Sequence, residues 1–280
     1  MMRSFKVVSP DGVAISAQSS GNPEGIPVVF IHGFSQSRLS WLRQTGDPGL
    51  ARLLHMVAYD LRGHGDSDRP DREDAYQAGR LWADDLAAVI SAAGVTRPYL
   101  VGWSYAGRVI ADYLATYGSD GIAGINYVNA RCSTDPALFG SAQKHLTGMR
   151  SDDIAVNREA TRAFLRSCFE VQPAPEDFEA MVAFNMKVSP SVRRTILARR
   201  NEAPEVLAGL ACPVLATHGL RDDIILPAMS RYIAATVKGA RLSLYEGIGH
   251  SPFWEDPSRF NAELAAFVGA EVPSGRSPHG

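Results

Sequence analysis

One serine lies where a nucleophile would have to be held. The segment Gly102-Trp103-Ser104-Tyr105-Ala106-Gly107 follows a predicted strand, Tyr99–Gly102, and opens a predicted helix, Ser104–Tyr117. A sharp strand-to-helix turn holds a serine hydroxyl out at the edge of a sheet, provided that small neighbours let strand and helix approach. The helix N-terminus then offers backbone N–H groups where an oxyanion would form. We therefore expect Ser104 to be a nucleophile.

The Gly-x-Ser pattern alone is weak evidence for a nucleophile, and its position relative to the predicted strands and helices distinguishes one serine from the others. Gly-x-Ser occurs five times in the chain, at Ser35, Ser67, Ser104, Ser251 and Ser277. Of these, Ser104 alone lies between a predicted strand and a predicted helix, which is the setting that the chemistry requires.

A nucleophilic serine needs a base, and the base needs an acid to orient it. Among seven histidines, His250 is the candidate because it follows the predicted strand Arg241–Tyr245. Two adjacent carboxylates, Asp222 and Asp223, follow the strand Pro213–Thr217. The C-terminal ends of strands are where open α/β sheets place their sites. The order Ser, Asp, His along the chain is that of the hydrolase arrangement and differs from the trypsin-like order.

Alternating strands and helices must position these residues. The predicted strands are Phe5–Ser9, Val13–Gln18, Pro27–Ile31, His55–Asp60, Tyr99–Gly102, Ile122–Asn129, Pro213–Thr217 and Arg241–Tyr245. The first two flank the turn Pro10-Asp11-Gly12 and form a hairpin. Helical patterns follow the later strands at Arg80–Ala93, Ser104–Tyr117, Pro227–Val237 and Pro257–Val268. This alternation predicts an α/β fold, a mostly parallel eight-stranded sheet with helices on both faces.

The alternation stops once, between residues 131 and 210. This stretch has no clear buried strand, only helical patterns at Ala137–Thr147, Asp152–Cys168, Pro175–Val188 and Ser191–Arg200. We therefore expect a core formed by 1–130 and 211–270, a helical lid at 131–210 inserted after the sixth strand, and a flexible tail at 271–280.

Composition restricts the partners. The 280 residues carry 28 basic and 30 acidic groups, a net charge of −2, so clustered cationic charge for nucleic acid is not expected. The three cysteines form no C-x-x-C pair, the N-terminus lacks a signal peptide, and no apolar run reaches the ~18 residues of a membrane span. These features predict a cytoplasmic protein with a small-molecule substrate and neither nucleic-acid nor membrane partners; they leave the oligomeric state open.

No metal or cofactor is predicted. The chain has no H-E-x-x-H motif and no Cys/His pairs at metal-ligand spacing. Gly63-His64-Gly65 lacks the third glycine and the helix start of a dinucleotide fingerprint, and no glycine-lysine phosphate loop occurs.

Taken in order, the motifs resemble those of the α/β-hydrolase family, of the serine-nucleophile, lid-bearing type that includes esterases and cofactor-free haloperoxidases. They are His32-Gly33-Phe34, the run from Asp60 to Ser67, the serine turn, the Asp222 turn and Gly249-His250-Ser251-Pro252-Phe253, and they extend over about residues 5–268. The resemblance implies Ser104 as nucleophile, His250 as base and Asp222 as orienting acid, since Asp222 stands three residues after Gly219.

The resemblance also implies an oxyanion hole formed by the backbone N–H groups of Phe34 and Tyr105. One position departs from the pattern: Ala106 replaces the usual glycine, and we expect a slightly altered turn rather than a lost one. Some relatives carry their acid after the sixth strand, but Asn129-Ala130-Arg131 supplies no carboxylate there. Dehalogenases and epoxide hydrolases of this fold carry aspartate at the nucleophile position, whereas Ser104 indicates acyl transfer.

The candidate substrate-pocket residues are His32, Arg131, Phe139, Phe164, Phe184 and Phe253. Arg131 admits two interpretations, because it could bind a substrate carboxylate or pair with acids of the lid.

The predicted function is hydrolysis of a small or medium, largely apolar ester-like substrate through an acyl-enzyme. A cofactor-free perhydrolase and a carbon–carbon bond hydrolase use the same triad and stay open as alternatives. A ligand-binding or receptor protein that keeps the fold is the alternative outside enzymes.

Overall fold

One eight-stranded sheet organises the chain. The computed structural model describes residues 2–199 and 204–269. Its strands are β1 (Arg3–Val8), β2 (Ala14–Gly21), β3 (Ile26–Ile31), β4 (Leu54–Tyr59), β5 (Tyr99–Trp103), β6 (Gly124–Val128), β7 (Val214–Gly219) and β8 (Arg241–Tyr245). They lie in the order β1-β2-β4-β3-β5-β6-β7-β8. Strand β2 runs antiparallel to both neighbours and the other pairs are parallel, so the predicted mostly parallel sheet is confirmed.

The strand order creates a crevice at one edge of the sheet. Strand β3 pairs in parallel with β4 on one side and with β5 on the other. The chain therefore reverses its direction of winding at β3, and the loops that leave β3 and β5 diverge at their carboxyl ends. Open α/β sheets bind ligands at such switch points.

Helices follow the strands. They are α1 (Leu42–Thr45), α2 (Pro48–Leu53), α3 (Asp74–Gln77), α4 (Gly79–Ala92), α5 (Ala106–Tyr117), α6 (His145–Gly148), α7 (Ile154–Ser167), α8 (Pro175–Met186), α9 (Pro190–Ala198), α10 (Ala228–Thr236), α11 (Pro252–Glu255) and α12 (Pro257–Gly269). Helix α4 packs against α5 on one face of the sheet, and α12 packs against α1, α2 and α11 on the other. The central strands are buried on both faces, which explains their continuous apolar runs.

Helices α6 to α9 belong to the segment between β6 and β7. The predicted helix Ala137–Thr147 is wrong: the structure has 3₁₀ turns at Pro136–Leu138 and Ser141–Lys144 before the short α6. Between the two turns, Phe139 forms an antiparallel bridge with Ile225, and the Gly140 N–H donates to the Ile224 carbonyl at 3.1 Å. Because these backbone groups bond to the loop after β7, they cannot continue a helix.

Two sequence predictions fall on other parts of the chain. The Arg200 end of the last predicted lid helix and the predicted tail 271–280 lie outside the described residues. Within the described ranges, no helix combines the length and the apolar character needed to cross a membrane.

Candidate active site

The turn after β5 holds Ser104 in a strained backbone conformation. Ser104 has a φ of 56°, in the left-handed region that non-glycine residues rarely adopt. Its N–H donates to the Val128 carbonyl at 3.0 Å, and its own carbonyl accepts from the N–H groups of Arg131 at 2.8 Å and Gly107 at 3.1 Å. Bonds to β6 and to the residues after it therefore hold the turn that presents the serine.

Small residues let α5 approach this turn. A Cβ added to Gly102 would lie 2.5 Å from Cδ1 of Ile110, and one added to Gly107 would lie 2.6 Å from the Arg131 carbonyl oxygen. Ala106 is fully buried at the crossing of strand and helix. The turn therefore forms with alanine at position 106. Gly102 and Gly107 are the positions at which a side chain would clash.

Two backbone N–H groups near the serine, those of Phe34 and Tyr105, have no acceptor among the described residues. Phe34 follows β3 and Tyr105 follows β5, and these strands are neighbours in the sheet. Gly33 is in contact with the serine, since an added Cβ would lie 3.1 Å from the Ser104 Cβ. Donors without intramolecular acceptors are what an oxyanion requires.

His250 is oriented by Asp222. Nδ1 of His250 lies 2.6 Å from Oδ2 of Asp222, and both side chains are buried. Since a carboxylate accepts, Nδ1 carries a proton, and in the neutral form of the ring Nε2 keeps its lone pair. Nε2 is buried and has no hydrogen-bond partner among the described residues. His250 and Ser104 line the same small cavity, with no direct hydrogen bond between them.

The Asp222 carboxylate is saturated with donors. Oδ1 accepts from the N–H groups of Ile224 at 2.8 Å and Ile225 at 3.1 Å, and Oδ2 also accepts from Nδ2 of Asn129 at 2.7 Å. Burial raises the pKa of Asp222, but the charge and hydrogen bond of His250 and the hydrogen bond of His218 outweigh burial and hold the pKa below its usual value. The carboxylate stays ionised beside the imidazole.

The neighbouring Asp223 does something else. Its carboxylate is exposed and accepts from the Ser141 hydroxyl at 2.6 Å and from the Ser141 N–H at 3.0 Å. Its backbone carbonyl accepts from the Ala142 N–H at 3.0 Å. The two adjacent acids thus have different partners: Asp222 contacts the histidine, and Asp223 attaches the inserted segment to the same loop.

Three residues that sequence reasoning missed hold the histidine in place. Asn129, at the position where some relatives carry their acid, supports Asp222 by the bond given above. The indole N–H of Trp103 donates to the His250 carbonyl at 2.8 Å. The carboxylate of Glu255 accepts from the N–H groups of Gly249 at 3.0 Å and Ser251 at 3.3 Å, on either side of the histidine.

Glu255 also reaches the inserted segment. Its Oε2 accepts from the N–H groups of Glu170 and Val171, both at 2.8 Å. Nothing in the sequence marks this role, because the donors are backbone groups from a segment about 85 residues away. The turn is also close to β7: a Cβ on Gly219 would lie 1.9 Å from the Gly249 carbonyl oxygen, so only glycine fits there.

A cavity opens beside Ser104. It has about 350 Å³ of space between atoms, including its open mouth, and most of its wall is apolar. Its lining residues are Phe34, Ser104, Tyr105, Arg131, Phe139, Gln143, Leu146, Phe164, Leu197, Ile224 and Ile225. Arg131, Phe139 and Phe164 are among the residues predicted from the sequence. Gln143, Leu146, Leu197, Ile224 and Ile225 are not, because their approach depends on how the insertion folds over the sheet.

Three predicted pocket residues lie elsewhere. His32 is fully buried, with Nδ1 donating to the Gly33 carbonyl at 2.8 Å and Nε2 accepting from the Leu61 N–H at 3.0 Å. Phe253 packs between Trp41 and Trp103, with ring centroids 4.3 and 4.9 Å away.

Phe184 is buried in the hydrophobic core cluster and does not line the cavity. From the sequence alone, each of these three side chains could have lined the substrate pocket. The tertiary packing instead buries them in the interior. Within residues 2–199 and 204–269, no group of three or more His, Cys, Asp or Glu side chains is arranged to hold a metal ion.

Comparison with known proteins gives the family. Residues 28–263 match the model of the alpha/beta hydrolase family. The chain belongs to this family. A solved structure of a candidate aryl esterase from Burkholderia cenocepacia is 38% identical, with a TM-score of 0.90 over 96% of this chain and 99% of that one.

Two further relatives are similar over nearly their whole length. The esterase RhEst1 from Rhodococcus sp. ECU1013 is 34% identical, with a TM-score of 0.86 over 95% of this chain and 98% of that one. The bifunctional esterase/perhydrolase DCH of Acinetobacter calcoaceticus is 27% identical over 292 residues, which cover 94% of this chain and 98% of that protein.

Proposed function

We propose that this alpha/beta hydrolase is a serine esterase that cleaves a small or medium, largely apolar ester through an acyl-enzyme. One observation carries the proposal. Nε2 of His250 is buried without a partner among the described residues, in the small cavity that His250 and Ser104 both line, while Nδ1 is held by Asp222 at 2.6 Å. A lone pair kept free beside a strained serine is what a general base requires.

The first half of the reaction forms the acyl-enzyme. Oγ of Ser104 attacks the ester carbonyl carbon and its proton passes to Nε2 of His250. The N–H groups of Phe34 and Tyr105 stabilise the oxyanion that forms. When the intermediate collapses, the bond to the alkoxide breaks, and His250 returns the proton to the leaving alcohol.

The second half releases the acid. His250 takes a proton from water, whose oxygen attacks the acyl carbon, and the ester bond to Ser104 breaks with return of the proton to Oγ. Asp222 holds the tautomer of His250 throughout and stabilises the imidazolium that forms at each step. No further reactant is needed.

In this proposal the segment 131–210 is a lid. Support comes from its side chains Phe139, Leu146, Phe164 and Leu197, which line the cavity beside Ser104. An apolar lid excludes water and gives room to an apolar acyl group. The protein would act in the cytoplasm, as its three free cysteines favour.

Replacing Ser104 by alanine tests the proposal. We expect Ser104→Ala to lower kcat on 4-nitrophenyl esters by at least about 10⁴-fold, because nucleophile, base and acid act as a unit. Ser258→Ala, at an exposed position of α12, is the matched control and should keep full activity. A fluorophosphonate probe should label the wild type at Ser104, as mass spectrometry of the peptide would show. Unchanged turnover in Ser104→Ala would contradict the assignment.

Perhydrolysis is a second candidate activity, favoured by the names of relatives. The esterase/perhydrolase DCH and a non-heme chloroperoxidase of Streptomyces lividans, 26% identical over 278 residues, each match 94% of this chain. Here hydrogen peroxide would replace water as attacking group on the acyl-enzyme and release a peracid. Peracid formation from acetate and peroxide, compared with ester hydrolysis by the same preparation, distinguishes the two. Probe labelling without turnover of esters, peroxide or β-diketones would indicate the ligand-binding alternative.

A further inference from the structure

Arg131 is fixed beside the nucleophile. Its N–H donates to the Ser104 carbonyl at 2.8 Å, and the first turn of α5 lies against its backbone at Gly107. Its side chain lines the cavity that Ser104 and Tyr105 also line. The position of this arginine is therefore tied to that of the serine.

The Arg131 side chain is short of acceptors. Among the described residues, its buried Nε has no hydrogen-bond partner and no carboxylate forms an ion pair with its guanidinium. Its one described partner is the ring of Phe139, whose centroid lies 4.9 Å from Cζ. Burial lowers the pKa of Arg131 to about 10, which still leaves it charged at neutral pH.

Two other arginines lie near Arg131. Arg199, on the other side of Tyr105, is paired with Asp112 at 2.5 Å and donates to the Tyr105 hydroxyl at 2.8 Å. Arg108, which is close enough to lower the pKa of Arg131, adds a like charge. Arg131 itself is half-buried and faces the cavity. A partly desolvated charge with no counter-charge beside it favours a ligand that supplies one.

We propose that Arg131 determines specificity by binding a carboxylate of the substrate, so that the preferred ester carries a free carboxylate at the far end of a short apolar acyl chain. The inference rests on the proposed esterase function. The apolar wall accommodates the chain, and the guanidinium can donate two parallel hydrogen bonds to the carboxylate. Of the two interpretations open from the sequence, the structure thus favours substrate binding over pairing with acids of the insertion.

Two esters of the same shape test this. Monoethyl glutarate carries the carboxylate, and ethyl 5-oxohexanoate carries a neutral methyl ketone in its place; a pH-stat measures hydrolysis of both. We expect the wild type to have the higher kcat/KM on the glutarate. Arg131→Gln should lower that preference at least tenfold, chiefly through KM, since a neutral side chain no longer attracts the carboxylate. Arg131→Lys should restore part of the preference.

A surface arginine is the control. Arg194 lies on α9, partly exposed and paired with Asp152 at 3.0 Å, and Arg194→Gln should leave the preference unchanged. A wild type that prefers the ketone ester would overturn the inference, as would an Arg131→Gln variant that loses both activities equally. So would a rise in preference on replacing Glu202, which lies outside the described residues, by glutamine, because Arg131 would then already have a counter-charge. Failure to cleave either ester, with no probe labelling of Ser104, would instead contradict the proposed function.

Discussion

Two fully buried arginines, Arg62 in the sheet region and Arg193 in the helical insertion, have different kinds of partner. Arg62, in the loop after β4, is fully buried and donates to both oxygens of Asp85 at 2.7 Å and to Asp11 at 2.9 Å. Arg193, on α9 of the insertion, is also fully buried but has only neutral acceptors among the described residues. These are Ser35 Oγ, the Met149 carbonyl, Asn157 Oδ1, Thr161 Oγ1 and the Asn185 carbonyl.

This difference in partners predicts that the sheet region tolerates less change than the insertion. Removing one member of a buried ion pair leaves an uncompensated charge, whereas removing a cation from neutral acceptors leaves only unpaired dipoles. The sheet side should therefore tolerate little change. The insertion is held to the loop after β3 by a bond of 2.7 Å from Arg193 Nε to Ser35 Oγ, next to Phe34. We expect changes to the contacts of the insertion to cost less in folding stability.

The adjacent acids Asp222 and Asp223 give the largest contrast between the two regions. We expect Asp222→Asn to lower kcat by about 10³–10⁴-fold, because an amide cannot hold the Nδ1–H tautomer of His250 or stabilise its charged form. Asp223→Asn should change kcat less than about tenfold, since it touches only the exposed attachment at Ser141. Steady-state kinetics on one neutral ester measures both. Equal losses would mean that the insertion's attachment, rather than the orientation of His250, limits catalysis.

The buried arginines give the next contrast, in stability. Arg62→Met should lower the free energy of unfolding by about 3–5 kcal/mol, because it leaves the buried Asp85 carboxyl without its counter-charge and its hydrogen-bond donors. Arg193→Met should cost about 1–3 kcal/mol, since its former acceptors are neutral. Urea denaturation followed by circular dichroism measures both values.

Hydrogen exchange locates the effect of each change. In Arg193→Met we expect faster amide exchange in α7, α8 and α9, with β3 to β7 still protected. In Arg62→Met, protection should fall throughout the sheet. The comparison fails if Arg193→Met costs as much as Arg62→Met, or if its faster exchange extends to the central strands.

The division between the sheet and the insertion also explains how much of the fold and of the site can be predicted from the sequence. Strand runs such as Pro27–Ile31 are continuous and apolar. Ser104 follows β5 directly and His250 lies in the turn after β8, so local pattern is enough to find them. The helix predicted over Ala137–Thr147 has good local propensity, yet its backbone bonds to the loop after β7. Long-range pairing of this kind leaves no periodic signal in the sequence.

The residues that support His250 and Asp222 could not be predicted from the sequence for the same reason. Asn129 and Glu255 support the histidine and its acid through contacts between residues distant in the chain, and neither belongs to a motif. Phe253, expected at the substrate, is directed into the interior by Trp41 and Trp103. A phenylalanine at this motif position can line the substrate pocket or pack in the core, and only the tertiary packing decides between the two.

Acid should weaken the sheet side through two buried imidazoles, His32 and His64, in the loops after β3 and β4. Burial lowers the pKa of His32 and of His64 to about 3 in the folded protein, and the ordinary value is 6.5. Below pH 6.5 the unfolded chain therefore takes up protons that the folded one does not. Stability is lost as the pH falls from 6.5 towards 3, by about 1.4 kcal/mol per pH unit for each ring. The insertion's His145 is partly exposed and should contribute less.

Urea denaturation at pH 7.5, 6.5, 5.5 and 4.5 measures this loss. His64→Gln should reduce its slope between pH 5.5 and 4.5 by about 1.4 kcal/mol per pH unit, because one of the two rings no longer takes up a proton on unfolding. His145→Gln, the matched change in the insertion, should reduce the slope less. NMR of the wild type gives a second measure that needs no variant: two imidazole rings should stay neutral from pH 8 to 5. Titration of all rings in that range would show that the sheet side does not hold its imidazoles neutral, and would remove this part of the contrast with the insertion.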